Sequence, residues 1–470
     1  MKKLLYLALF AVITSAGCRK IEMDGGSGNG NGNGDGNGST ENTILEGRIT
    51  VNRTLKANYI YKLRGLVYVT NGAVLTIEPE TKIVGEKGKN GGLIITRSCK
   101  IIADGTAEKP IIFTSEESNP QRGDWAGVVL LGNAPTNASF NGQQGIGEIE
   151  GGINNSDGLG LYGLGTSSNP ADNSGILRYV RIEYAGYAFL PDKEINGLTF
   201  GGVGSGTIVD YVQVAYANDD SFEWFGGTVN CSHLISYRAL DDDFDTDNGF
   251  SGRVQFGIVL RDSAVADISK SEAFESDNDA NGSQLLPQTK AVFSNMTVIG
   301  PRQSANNIGN SLFLAAAQIR RNSSISIFNS IFMGWPTGLL IDASKGYPTD
   351  NNFSTGLNVQ NTIIGGCATP VSYAASTTAP TGATSATILD WFNTSSYGNT
   401  IVSATADVKL AAPFNYTSPD FGPRDGSPAL TGASFSDAGL TNGFTPVNYR
   451  GAAGINDNWY KGWTSFNQIN

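Results

Sequence analysis

The chain is poor in the residues on which most site chemistry depends. Among 470 residues there is one histidine, His233, with four cysteines and four methionines. A Ser-His-Asp hydrolase or a histidine-ligated metal would have to use His233. That residue, however, takes the same place in a repeated pattern as Tyr179 and Tyr211, which points to a structural role. Beyond Cys18 the cysteines are Cys99, Cys231 and Cys367, an odd and scattered set. It makes neither a disulfide framework nor a zinc site, which needs clustered ligands. Basic residues are outnumbered, 32 Lys and Arg against 43 Asp and Glu, for a net charge of −11. A nucleic-acid partner is therefore excluded, because such binders neutralise phosphates with clustered Lys and Arg. No apolar run after Ile13 is long enough to span a bilayer, so the chain alone is not expected to form a transport path. No long stretch keeps helical spacing, and 60 glycines suit short strands and many turns.

The N-terminus does carry a recognisable pattern. Lys2 and Lys3 precede an apolar run from Leu4 to Ile13, and Ser15-Ala16-Gly17 lead to Cys18. This resembles a bacterial lipoprotein signal peptide, which implies that Cys18 becomes the lipidated first residue. Residues 25–38 are almost wholly Gly and Asn, a composition with nothing to bury. The expected organisation is a signal peptide over 1–17, a lipidated and flexible tether over 18–43, and one long domain over 44–470 that includes a C-terminal cap around Trp459 and Trp463. Residues 141–174 and 372–385 read as excursions from that domain.

The domain repeats itself. Asp220-Ser221-Phe222-Glu223-Trp224-Phe225, Asp242-Asp243-Phe244-Asp245-Thr246-Asp247 and Glu272-Ala273-Phe274-Glu275-Ser276-Asp277 share one pattern: acid, any residue, Phe, acid. Their spacings, 22 and then 30 residues, fit the coils of a solenoid with one insertion. Alternate residues of a strand share a face. Phe222, Phe244 and Phe274 are thus expected inside, with Glu223, Asp245, Glu275 and their second neighbours in an outward column. Ile77, Ile95 and Phe113 recur every 18 residues, which suggests strands stacked one above the next. Leu177, Val209 and Cys231 open another set of strands, and Asn295, Asn329 and Asn361 mark a repeated turn position. Such stacks bury continuous inward rows without helices.

Gly72-Ala73-Val74-Leu75-Thr76-Ile77-Glu78-Pro79, Pro110-Ile111-Ile112-Phe113-Thr114-Ser115 and Gly123-Asp124-Trp125-Ala126-Gly127 resemble the opening coils of right-handed parallel β-helix proteins of the pectin-lyase-like superfamily. The acidic repeats and the tail segments 426–430 and 458–463 resemble, more narrowly, a family of secreted and lipid-anchored β-helix proteins of Bacteroidota with no assigned reaction. The resemblance implies an all-β fold, a single right-handed parallel β-helix with capped ends, on an outer membrane or cell surface.

The acidic column is the candidate site. Strands lie about 4.8 Å apart, and two unit charges near 5 Å repel by roughly 3 kcal/mol at an effective dielectric near 20. Water or a cation must relieve this. Asp220, Glu223, Asp242, Asp245, Asp247, Glu275 and Asp277 are the expected ligands of a Ca²⁺ ion, which takes about six to eight oxygens. The alternative is a solvated face balanced by Arg238, Arg253 or Arg261. Phe225 on the same face, and Trp224 if the alternation breaks at Gly226-Gly227, are candidate platforms for a sugar ring, with Arg238 and Arg253 as further ligand contacts. Two functions remain open: non-catalytic binding of a polysaccharide or another envelope component, and a Ca²⁺-dependent polysaccharide lyase or related carbohydrate-active enzyme. Binding is favoured, because no catalytic constellation assembles from motifs.

Overall fold

A computed structural model describes residues 41–188, 195–304, 306, 307 and 309–466. Cys18, the leader and the Gly/Asn tract lie outside the described residues.

From Ile44 onward short strands pair in parallel with the strands one coil earlier and one coil later, and 26 of them form one continuous sheet. Three faces recur in every circuit. On the first, Leu177, Val209, Cys231, Val254, Phe293, Ile327 and Val359 stand in register. On the second, Ile83, Phe113, Ile182, Val214, Ser236, Val259 and Val298 do so. The third stacks Leu93, Val128, Leu198, Phe222, Phe244, Phe274, Ala317 and Leu339. Inward residues form one long buried core running through the coils. The architecture is a parallel β-helix.

The 18-residue step turns out to run around a coil rather than along the stack. Ile77 pairs with Ala103, Ile95 with Leu130, and Phe113 with Ile83 and Ile182, so the three stand on three different faces. A strand of four or five residues plus its turn covers only part of a circuit; the coil closes between Leu75 and Ile101.

Between the first and second faces the chain turns on a single residue. Tyr179, Tyr211, His233, Phe256, Asn295, Asn329 and Asn361 all have φ between 45° and 62° and form one column. A left-handed residue redirects the strand without a loop, and Asn tolerates it best among residues with a side chain. The four ring-bearing rungs offset the strain by stacking: Tyr179 on Tyr211 at 4.4 Å, Tyr211 on His233 at 4.2 Å and His233 on Phe256 at 5.0 Å. His233 Nδ1 lies 2.8 Å from Asp210 Oδ1, and Trp459 closes on the His233 ring edge-on. The single histidine is a rung of this ladder.

The aromatic tail was expected to cap a coil end, and instead it runs back along the flank. Asn329 donates to the Ser434 carbonyl, Asn295 to those of Tyr449 and Gly451, Gln255 to Thr445 and Gln213 to Ser465. The asparagine and glutamine amides thus hold the tail against the coils. The far end of the core is covered by a helix, Ser385–Phe392, whose Ile388 and Phe392 are buried in it. Thr384 caps this helix by accepting from the Thr387 N–H. Eight residues are too few to show helical periodicity in the sequence. The described residues from Asn42 onward form one compact unit.

Candidate functional site: a grid of carboxylates on the third face

Strands Phe222–Phe225, Phe244–Asp247 and Phe274–Ser276 lie side by side on the third face. Their register places Phe222 beside Phe244 and Phe244 beside Phe274, with ring centroids 5.6 and 5.3 Å apart. All three rings are buried. One residue on, Glu223, Asp245 and Glu275 stand in register on the outer side. Two residues before each Phe stands another acid: Asp220, Asp242 and Glu272. Backbone hydrogen bonds tie this second column together, Asp242 N donating to Asp220 Oδ1 at 2.7 Å and Glu272 N to Asp242 Oδ1 at 2.6 Å. The result is a grid of six carboxylates, two columns wide and three coils deep.

Neutral residues bound the grid. The coil before it presents Thr199 beside Glu223, and the coil after it presents Gln318 beside Glu275. Asn196 also donates to Glu223. A cavity of about 570 Å³ opens over the acids, lined by Asp220, Glu223, Asp242, Asp245 and Glu275 together with Glu150, Asp219, Asp241, Arg320, Arg321 and the segment 267–270. Glu150 belongs to the excursion 141–174, which folds over the same face and packs Tyr162 against Phe225, ring centroids 6.0 Å apart.

Outward from the coil therefore does not mean solvated. Burial, then the neighbouring charges, drives the carboxyls of Asp220, Glu223, Asp242 and Asp245 well above the ordinary carboxylate range. Asp241 rises to about 7 and Glu272 to about 8, again from burial first and adjacent acids second. Glu275 rises only to about 7, because Arg320 works against its burial. Asp241 Oδ1, Asp245 Oδ1 and Glu272 Oε2 are buried and accept no hydrogen bond.

The basic partners differ from those expected. Arg320 pairs with Glu275 and Asp277, and Arg321 with Asp277. Both follow the strand Ala315–Ile319, one coil beyond the repeats, and only the stacking brings them in. Arg261 is instead fully buried with Asp243, 3.3 Å away, and donates to the Leu240 and Asp241 carbonyls. Arg238, expected as a ligand contact, is also elsewhere: it pairs with Asp262 at 3.3 Å and lies 4.6 Å over the Tyr416 ring. Arg253 begins a strand of the first face and lines a separate cleft of about 580 Å³ with Lys290, Asn358 and Asp437. Neither arginine reaches the acids, because each sits on a different face of the coil.

Two further expectations are corrected. Trp224 is no sugar platform: strand alternation holds through Gly226, and its ring is buried between Phe200 at 5.5 Å and Phe250 at 5.2 Å. Phe225 does face outward, yet Tyr162 covers it and leaves it 8% exposed.

Of the seven expected metal ligands, the structure groups five. Carboxylate oxygens of Asp220, Glu223 and Asp245 lie within 4.8 Å of one another, as do those of Asp242, Glu272 and Glu275. Asp219, Asp220 and Asp241 make a third such set. Asp277 is taken up by the two arginines, and Asp247 accepts from the Asn248 N–H. Glu272 and Asp241 were missed. Glu272 was legible, since it holds the same repeat position as Asp220 and Asp242. An all-oxygen donor set with orphaned carboxylate oxygens fits a hard divalent cation such as Ca²⁺ and not a thiolate- or imidazole-seeking metal.

No curated protein and no solved structure matches the chain. The family model of a pectate-lyase-like β-helix domain matches residues 47–409, and by this match over most of its length the chain belongs to that family.

Proposed function

We propose that the protein is a lipid-anchored component of the cell envelope that binds an acidic polysaccharide, or another anionic envelope component, through divalent cation held in the carboxylate cavity. The family is carbohydrate-related. The observation that carries the reading is the crowding of acids. Five of the six stacked acids, Asp220, Glu223, Asp242, Asp245 and Glu275, line one 570 Å³ cavity, and the arginines beside it reach only Glu275 and Asp277. Asp220, Glu223 and Asp245 are the first cation's ligands, with Asp245 Oδ1 buried and free to coordinate. Such an ion supplies charge to which uronate or phosphate oxygens bind, completing a shell of about six to eight oxygens. Cys18 is the proposed anchor.

The test is a glycan array probed with the full chain in Ca²⁺ and in chelator. Binding of acidic glycans in Ca²⁺ alone, lost in Asp245→Asn, is expected; chelator-insensitive binding, or none, overturns the reading.

One observation favours the lyase alternative. Lys270 lines the cavity without an ion pair among the described residues, whereas Arg320 is held by two acids and cannot serve as a base. An unsaturated-uronate assay decides: product formed with Ca²⁺ and abolished in Lys270→Met establishes catalysis, and no product leaves binding alone.

A further inference from the structure

The column Asp220, Asp242, Glu272 is a hydrogen-bonded ladder in which each acid receives the backbone N–H of the next. The ladder stops at Glu272. The next coil places Ala315 at the same position, so no further carboxylate side chain extends it. Glu272 is only 2% exposed, and its Oε2 accepts no hydrogen bond. A buried carboxylate oxygen without a donor is strongly disfavoured, so it is met either by a proton shared with Asp242 or by a cation. Carboxylate oxygens of Asp242 and Glu275 lie within 4.8 Å of one from Glu272. Oxygens on opposite sides of one Ca²⁺, each at 2.3–2.6 Å, stand about 5 Å apart, so the three residues span a single ion. Arg320 engages Oε1 of Glu275 and leaves Oε2 for the metal.

We propose that Asp242, Glu272 and Glu275 form a second divalent-cation site, separate from the ion held by Asp220, Glu223 and Asp245, with which it shares no ligand. The second ion sits one coil further along the stack, between the end of the ladder and Arg320. It deepens the cation reading given above, and it can fail while that reading stands.

Calcium bound per chain is measured by calorimetric titration of the metal-stripped full chain and checked by elemental analysis after dialysis. Two ions are expected for the wild type, one for Glu272→Gln, one for Asp245→Asn and none for the double variant. A wild type with one ion, unchanged by Glu272→Gln, overturns the second site and leaves the first. No bound ion overturns both. Two ions retained in Glu272→Gln also overturn it. If that variant melts higher than the wild type in chelator with the ion count unchanged, Glu272 and Asp242 share a proton instead. Should Glu272→Gln fail to fold, Glu272→Asp keeps the charge on a shorter arm; it is expected to weaken one of the two ions at least tenfold, and equal affinities overturn the site.

Discussion

Replacing Asp245 by Asn reverses the sign of its effect with the metal. Asp245 stands between Glu223 and Glu275 in the outer column, one strand spacing from each. At about 4.8 Å each ionised neighbour repels it by roughly 3 kcal/mol at an effective dielectric near 20, and by under about 1 kcal/mol where water screens the pair. Arg320 already neutralises part of Glu275's charge. Without divalent metal at pH 8, Asp245→Asn is therefore expected to stabilise the fold by about 1–3 kcal/mol. As pH falls the gain shrinks, because these raised carboxyls take up protons. In millimolar Ca²⁺ the same substitution removes a ligand, so the variant becomes the less stable protein. Denaturant unfolding of both proteins, with chelator and with Ca²⁺, reads the four stabilities directly. If Asp245→Asn is destabilising in chelator at pH 8, Asp245 is already satisfied by its surroundings and the repulsion argument fails.

Phe244→Ala should cost about 3–5 kcal/mol, since the ring is buried and packs between Phe222 and Phe274; a loss under about 1 kcal/mol in denaturant melts refutes the stacked core. In chelator the melting point should fall as pH rises from 5 to 8. Asp241, Glu272 and Glu275 have folded-state values of about 7, 8 and 7, above those of an unfolded chain, so the folded form holds more protons and loses its advantage as they leave. A melting point that climbs over that window contradicts the burial of the grid. Cys18→Ala should release the protein from membranes into the soluble fraction, and unchanged attachment rules out the lipid anchor.

The parts of the structure legible from sequence are those set by strand parity and by the repeat. Phe222, Phe244 and Phe274 reveal both the core row and the outer acids, because a strand must alternate. The six positions from Tyr179 and Tyr211 through Asn361 looked like two separate sets. Phe256, which resembles neither, joins them into one column, and only backbone φ identifies what they share. Arg320 and Arg321 were not foreseen, since a residue's neighbour one coil away depends on the lengths of intervening turns. The same uncertainty made the 18-residue step look like stacking. Exposure was misjudged for Phe225 and Glu223, because the excursion carrying Glu150 and Tyr162 folds over them from 60 or more residues away.

The central claim is that the carboxylate grid is built to hold cation, and the melting point of the full chain with and without Ca²⁺ tests it most directly. A ligand that binds only the folded state at 100 times its dissociation constant stabilises it by about 2.7 kcal/mol. The account predicts a melting point that rises with added Ca²⁺, saturates, and returns to its starting value in chelator. A melting point that ignores both, with no heat of binding at millimolar Ca²⁺, contradicts it and leaves the grid as a set of protonated acids.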